Sequence, residues 1–278
     1  MKITILCDNC ISRSGFLAEH GFSALIEQGP NKFLFDTGQG TVLPNNIKTS
    51  GTQLKGTNTI FISHGHYDHT GGLKWVLQTT GPVDIVAHGD IFSNHMSLRS
   101  GSGQPGKPRY IGCPASQSEL EALGANFKFV NQTKEIFPGV WFISGIDRNP
   151  GQTPDDPNLV LEQDGRLMPD PIADDASLLM ETDKGPLLML GCSHAGVLNI
   201  LDHVRNKMGI TRLRAILGGT HLMFLPPKQL PGIINKIEEF SVELVGVSHC
   251  TGMQAAATLA SHFGDRFRFA SAGATISL

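Results

Sequence analysis

The stretch TIFISHGHYDHTGGL, Thr59–Leu73, packs three histidines and an aspartate into the six residues from His64 to His69. An apolar run precedes them and a pair of glycines follows. The run reads as a buried strand, and LKWVLQTT beyond it as a helix. His64 and His66 are two apart, so on an extended segment they face the same side. Asp68 and His69 come as the chain turns into the helix, whose N-terminus favours a carboxylate. Imidazole and carboxylate donors together suit zinc, iron or manganese.

The setting of His64 recurs. Four of the eleven histidines follow an apolar run behind one small residue: TIFIS-His64, LLMLGCS-His194, RAILGGT-His221 and LVGVS-His249. In open α/β sheets ligands bind beyond the carboxyl ends of the strands. Four strands ending in histidine therefore bring their imidazoles to one edge. A lone strand-terminal histidine is more often structural, but four in the same position, the first with further ligand-type residues beside it, point to a shared metal site. Two adjacent metals need about six ligands, and this set can supply them.

The rest of the chain fits such a frame. Its 278 residues can bury a sizeable core, with 40% hydrophobic and 17% charged residues. Lys+Arg of 22 against Asp+Glu of 25 makes no general field for nucleic acid or an anionic membrane. The short apolar N-terminal run stops at Asp8, so no secretory signal is read, and no stretch approaches a membrane span. Five scattered cysteines form no disulfide framework, and a cytoplasmic protein is expected. Cys7 and Cys10 read as two thiols at a strand end. Short strands fill the first 62 residues, and strand–helix alternation resumes after Ser177. SQSELEAL reads as a helix capped by Ser116 with Glu119 three residues on. The Gly/Pro-rich basic segment RSGSGQPGKPRYIGCP reads as a loop, and the polar stretch 144–176 as a long loop insertion.

HGHYDH resembles the H-x-H-x-D-H signature of the metallo-β-lactamase superfamily, and the likeness runs over nearly the whole chain. FLFDTG, GCSHAG and VSHCTG resemble its other motifs. Their combination, with AEHGFSALIE, is similar to the branch labelled 7,8-dihydropterin-6-methyl-4-(β-D-ribofuranosyl)-aminobenzene-5′-phosphate synthase. The resemblance implies one domain over residues 1–278, an αββα sandwich of two mixed β-sheets flanked by helices. It implies that His64, His66 and His194 hold one divalent metal and Asp68, His69 and His249 a second. Zinc is expected first, with manganese or iron as alternatives. Asp36 would buttress the metal loop, accepting the other N–H of a ligating histidine. The superfamily often places a bridging aspartate after the strand here read as LRAILGG; this chain has THL instead, with His221 in that place. His221 is left between a seventh ligand, a substrate-facing acid and a supporting contact.

The chemistry expected of this site is hydrolysis of an ester, a phosphoester or phosphodiester first, by a metal-bound hydroxide that Asp68 helps to orient. The runner-up is a transferase joining a dihydropterin to an aminobenzene-ribosyl phosphate, and a third reading is an iron or redox protein. A small, phosphorylated substrate is expected, with no nucleic acid or membrane partner and with a homo-oligomer left open. Arg99, Lys107 and Arg109 offer either a phosphate grip or a solvated loop. His20 and His88 either contact substrate or satisfy loop carbonyls. Arg148, Asp174 and Asp175 match the branch, the first as a substrate contact. Cys192 and Cys250 flank His194 and His249 closely enough to line the pocket, but the preferred reading is two small residues at crowded strand ends.

Overall fold

The computed structural model describes residues 1–99, 106–154 and 156–278. Residues 100–105, the centre of the basic Gly/Pro-rich segment, lie outside the described residues. Two seven-stranded sheets form the body. The first runs in the order Thr275–Ser277, Lys2–Cys7, Ser23–Gln28, Asn31–Phe35, Thr59–Phe61, Val83–Ala87, Ala125–Phe129. The second runs Phe267–Phe269, Leu244–Ser248, Ala215–Gly219, Leu187–Leu190, Ser177–Met180, Val140–Ile143, Lys134–Phe137. Each sheet is antiparallel on one side and parallel on the other, so both are mixed.

Period-two alternation assigns the layers. Ile3, Ile5, Phe33, Phe35 and Phe61 of the first sheet meet Phe142, Leu178, Met180, Met189 and Leu217 of the second in one buried cluster. Phe61 stacks on Phe142 across this seam, ring centroids 6.3 Å apart. The alternate residues face outward. Leu25, Leu34 and Ile60 pack under the helices Leu43–Ser50 and Leu73–Thr80. Leu179, Leu188 and Ile216 pack under Val197–Met208, Leu230–Glu239 and Met253–Phe263. Strands covered on both faces must be apolar throughout, which is why TIFIS, LLML and LVGV read as unbroken runs. The arrangement is the expected αββα sandwich. Helix Gln117–Ala122 carries the capping box read from Ser116 and Glu119. No described helix is long and apolar enough to cross a membrane.

The stretch 144–176 departs from the loop expected of it. It contains the hairpin Leu159–Gln163 and Arg166–Pro169, which pairs with His95–Ser97 and through it with Arg109–Tyr110. The resulting four-stranded sheet lies by the metal-type loop: Ile111, Leu159 and Ile172 pack together with Tyr67 against them.

Candidate metal centre

Both parallel halves end at the same edge. Asp36 follows Asn31–Phe35, Ser63 and His64 follow Thr59–Phe61, and Cys192 and His194 follow Leu187–Leu190. His221 follows Ala215–Gly219, and His249 follows Leu244–Ser248. The edge is tightly built: a Cβ at Gly191 would stand 2.2 Å from Ser63 Cβ.

Two groups of donors face one another there. His64 Nε2 and His66 Nδ1 are 3.0 Å apart, and the rings of His64 and His194 are centred 4.7 Å apart. In the second group His69 Nε2 and His249 Nε2 are 3.3 Å apart, and Asp68 Oδ2 lies 3.4 Å from His249 Nε2. The other ring nitrogens fix the tautomers. His69 Nδ1 donates to Asp36 Oδ2 at 2.7 Å, and His249 Nδ1 to Asn9 Oδ1 at 2.9 Å. Asp36 also accepts from Ser63 N and Ser63 Oγ, both at 2.7 Å, and Ser63 Oγ reaches His64 Nδ1 at 3.0 Å.

Electrostatics agree with a cation site. Burial first, then neighbouring imidazoles, hold His64 and His194 well below the ordinary histidine value; burial and His95 lower His66 to about 4. These three are neutral donors at pH 7. Burial opposes charge on His69, but Asp36 and Asp68 overcome it and raise its pKa to about 9. Burial likewise opposes charge on Asp68, outweighed by His69, His20 and His249, which keep it ionised. His66 Nε2 and His194 Nε2 are buried with no hydrogen-bond partner among the described residues. Orphaned imidazole nitrogens and facing lone pairs near 3 Å call for a proton or a cation between them. The donor set fits a divalent metal.

The other expected residues divide. His20 joins the site, its Nε2 3.1 Å from Asp68 Oδ2. His221 lines the same pocket, its Nδ1 3.4 Å from Cys192 Sγ and its ring 4.3 Å from that of His194. Arg99 and Arg109 line the pocket with Tyr67 and Phe224, Arg99 lying 4.4 Å over the Phe224 ring and ion-paired to Asp156. Arg148 borders an adjoining cleft with His194 and His221, but its guanidinium donates to the carbonyls of Pro171 and Ile172. His88 does not line the pocket; its Nδ1 accepts from Asp90 N at 3.1 Å. Lys107 is exposed outside the pocket. Asp174 and Asp175 are fasteners: Asp174 accepts from Gly65 N at 2.6 Å and Asp175 from Ala195 N at 2.8 Å. Burial pushes Asp175 up to about 6.

Three supports escaped the sequence. Asp8 and Asn9 hold His249, Asp8 Oδ1 accepting its backbone N–H at 2.5 Å. His95 lies behind His66, rings 5.1 Å apart, with Nδ1 2.6 Å from Asp170 Oδ2. Neither Asp8-Asn9 nor His95 follows the strand-then-histidine pattern.

Among known families, residues 18–171 match the model of the metallo-β-lactamase superfamily. Over 257 residues, 91% of either chain, the sequence is 30% identical to an uncharacterised protein of Methanocaldococcus jannaschii. It is 27% identical over 272 residues to the 7,8-dihydropterin-6-methyl-4-(β-D-ribofuranosyl)-aminobenzene-5′-phosphate synthase of the same organism, covering 95% of this chain and 91% of that one. A crystal structure described as a metal-dependent hydrolase of the β-lactamase superfamily superposes with a TM-score of 0.83 at 29% identity, covering 100% of this chain and 99% of that one.

Proposed function

The chain belongs to the metallo-β-lactamase superfamily, and from that premise we propose that it is a metal-dependent hydrolase of a phosphorylated ester. The observation that carries this reading is the convergence of two donor groups beneath a pocket bordered by Arg99 and Arg109. His64, His66 and His194 would hold one divalent ion and Asp68, His69 and His249 the other, zinc in first place, with manganese or iron compatible with the same donors. Bound there, the ions would supply Lewis acidity toward an ester oxygen and lower the pKa of water.

The chain's own residues do the rest. Arg109 offers a planar fork of donors to phosphoryl oxygens, and Arg99, held by Asp156 and Phe224, offers a pre-positioned charge. His20 fixes the Asp68 carboxylate by its 3.1 Å contact. His221 faces the same pocket and is placed to give a proton to a leaving oxygen.

A transferase is the second reading. Phe224, stacked by Arg99, offers a flat apolar surface beside positive charge, which suits a heterocycle linked to a phosphate. The likeness to the synthase of Methanocaldococcus jannaschii supports it as well.

Elemental analysis of protein purified without added metal, together with turnover of bis-p-nitrophenyl phosphate, tests the proposal. About two divalent ions per chain and hydrolysis abolished by His66→Ala are expected. Metal-loaded protein inert to phosphomonoesters and phosphodiesters yet able to bind a pterin would transfer the reading to the transferase. Iron with a visible absorption band would point to redox chemistry instead.

A further inference from the structure

The two donor groups share a neighbour that neither includes. Cys192 Sγ lies within 4.8 Å of the ligand atoms of His64 and His194, and likewise within 4.8 Å of those of His69 and His249. One sulfur atom is thus close to both halves of the centre. Building on the metal-centre reading above, we propose that Cys192 is itself a ligand of this centre and bridges its two ions.

Local structure delivers the sulfur to that point. Leu187–Leu190 carries Cys192 to the sheet edge, and Ser193, at a left-handed φ of 63°, turns the chain between Cys192 and His194. Ser193 Oγ pins the turn by donating to Gly219 O at 2.8 Å. Gly191, lacking a Cβ, lets this loop close onto Ser63. Cys192 and His194 therefore both reach the imidazoles of the first sheet. Cys250 is the competing thiol; among the described residues its sulfur lies within 4.8 Å of Cys192 Sγ and a His221 ring nitrogen, a cluster that holds none of the six ligands proposed above. Cys250 Sγ donates to Cys192 O and accepts from His221 N, each at 3.2 Å. Cys192 Sγ also meets His221 Nδ1 at 3.4 Å, a contact that would steady the sulfur.

Charge gives the reason for a bridge. Of the six ligands proposed above, Asp68 alone is anionic, and no Asp or Glu follows Ala215–Gly219, where the chain reads Thr220-His221-Leu222. Two divalent cations side by side repel unless an anion lies between them. On binding, the Cys192 thiol releases its proton to solvent, and the sulfur has lone pairs enough to bond both ions. Sulfur is a customary partner of zinc.

Cobalt(II) chloride is the probe, added to the full chain after chelator treatment and followed by near-ultraviolet absorption and by equilibrium dialysis. A sulfur-to-cobalt charge-transfer band that grows over both equivalents is expected. Cys192→Ser should abolish it and weaken the second equivalent by at least about 10–100-fold, the loss seen even for an outer partner of a ligand. Cys250→Ser should keep the band. Cys192→Asp guards against simple misfolding: it should bind both equivalents without the band. A band that survives in Cys192→Ser or Cys192→Asp, or two bound cobalt ions without any band in the unaltered chain, overturns the inference and leaves the metal centre standing. No cobalt uptake by the unaltered chain overturns both.

Discussion

Replacing His95 with glutamine should cost stability far beyond the loss of one side-chain contact. His95 Nδ1 lies 2.6 Å from Asp170 Oδ2 and Nε2 lies 3.7 Å from Asp174 Oδ2, with at most 2% of any of these side chains exposed. Burial opposes charge on the imidazole, but the two carboxylates outweigh it and raise the pKa from 6.5 to about 10. A raised pKa stabilises the fold fully below 6.5, and the contribution is lost as pH rises through about 10. At roughly 1.36 kcal/mol for each pKa unit, the rise corresponds to about 5 kcal/mol as an upper figure. Removing one partner of a buried pair costs about 3–5 kcal/mol, because a carboxylate is left buried and alone. His95→Gln is therefore expected to lose about 3–5 kcal/mol at pH 7 in urea denaturation. If the unpaired carboxylate is the cause, adding Asp170→Asn to that variant should recover part of the loss. A His95→Gln loss under about 1 kcal/mol, or no recovery in the double variant, would refute the reasoning.

Asp36→Asn puts an N–H donor where Ser63 or His69 now finds an acceptor, and should lower metal affinity about 10–100-fold in a chelator competition while the far-ultraviolet circular dichroism holds. Acid should destabilise the metal-stripped protein. His66 is lowered to about 4, so below 6.5 the unfolded chain takes up a proton that the folded one refuses, and stability present above 6.5 falls away toward pH 4. The size is about 3 kcal/mol for His66, with His64 and His194 adding in the same direction; an unchanged urea midpoint across that window would contradict it. Arg109→Ala should raise KM for a phosphorylated substrate about 10–100-fold, the value of one charge-assisted hydrogen bond, and leave an uncharged ester largely unaffected.

The residues legible in the sequence are those whose role is local. A buried run followed by Ser or Thr and then His is one strand that delivers its histidine to the sheet edge, and it marks His64, His194, His221 and His249 without any knowledge of pairing. The αββα layers follow from the same runs. Long-range supports leave no such trace. Asp170 meets His95 across 75 residues and Asn9 meets His249 across 240. The closeness of Cys192 to the donors of two other loops likewise exists only after the sheets pair. The hairpin in 144–176 did carry a signal. Asp164-Gly165, both left-handed at φ 51° and 74°, is the two-residue turn between LVLEQ and RLMP. The polar, proline-rich flanks outweighed it. His88, left between a substrate and a loop contact, follows the apolar strand VDIVA and turns to its own loop, its Nδ1 accepting from Asp90 N.

Backbone strain shows how the edge is held. Four of the seven non-glycine residues with positive φ among the described residues, Asp36, Ser193, His221 and His249, stand just past strand ends at this site. Such conformations cost about 1–3 kcal/mol each and persist only where the surroundings over-determine them. Here they do. Asp36 N donates to Phe61 O at 2.9 Å, Ser193 Oγ to Gly219 O, His221 N to Cys250 Sγ, and His249 N to Asp8 Oδ1. Glycine at any of these positions would ease the backbone, but it would remove the donor or buttress that the turn presents. The strands beneath, apolar on both faces, supply the rigidity that keeps the strained turns in place. Asp36, Asn9, Ser63 and His20 then orient the donors through protein contacts alone. A cation entering this edge would meet donors already aimed at it, and its binding energy would not be spent on folding the site.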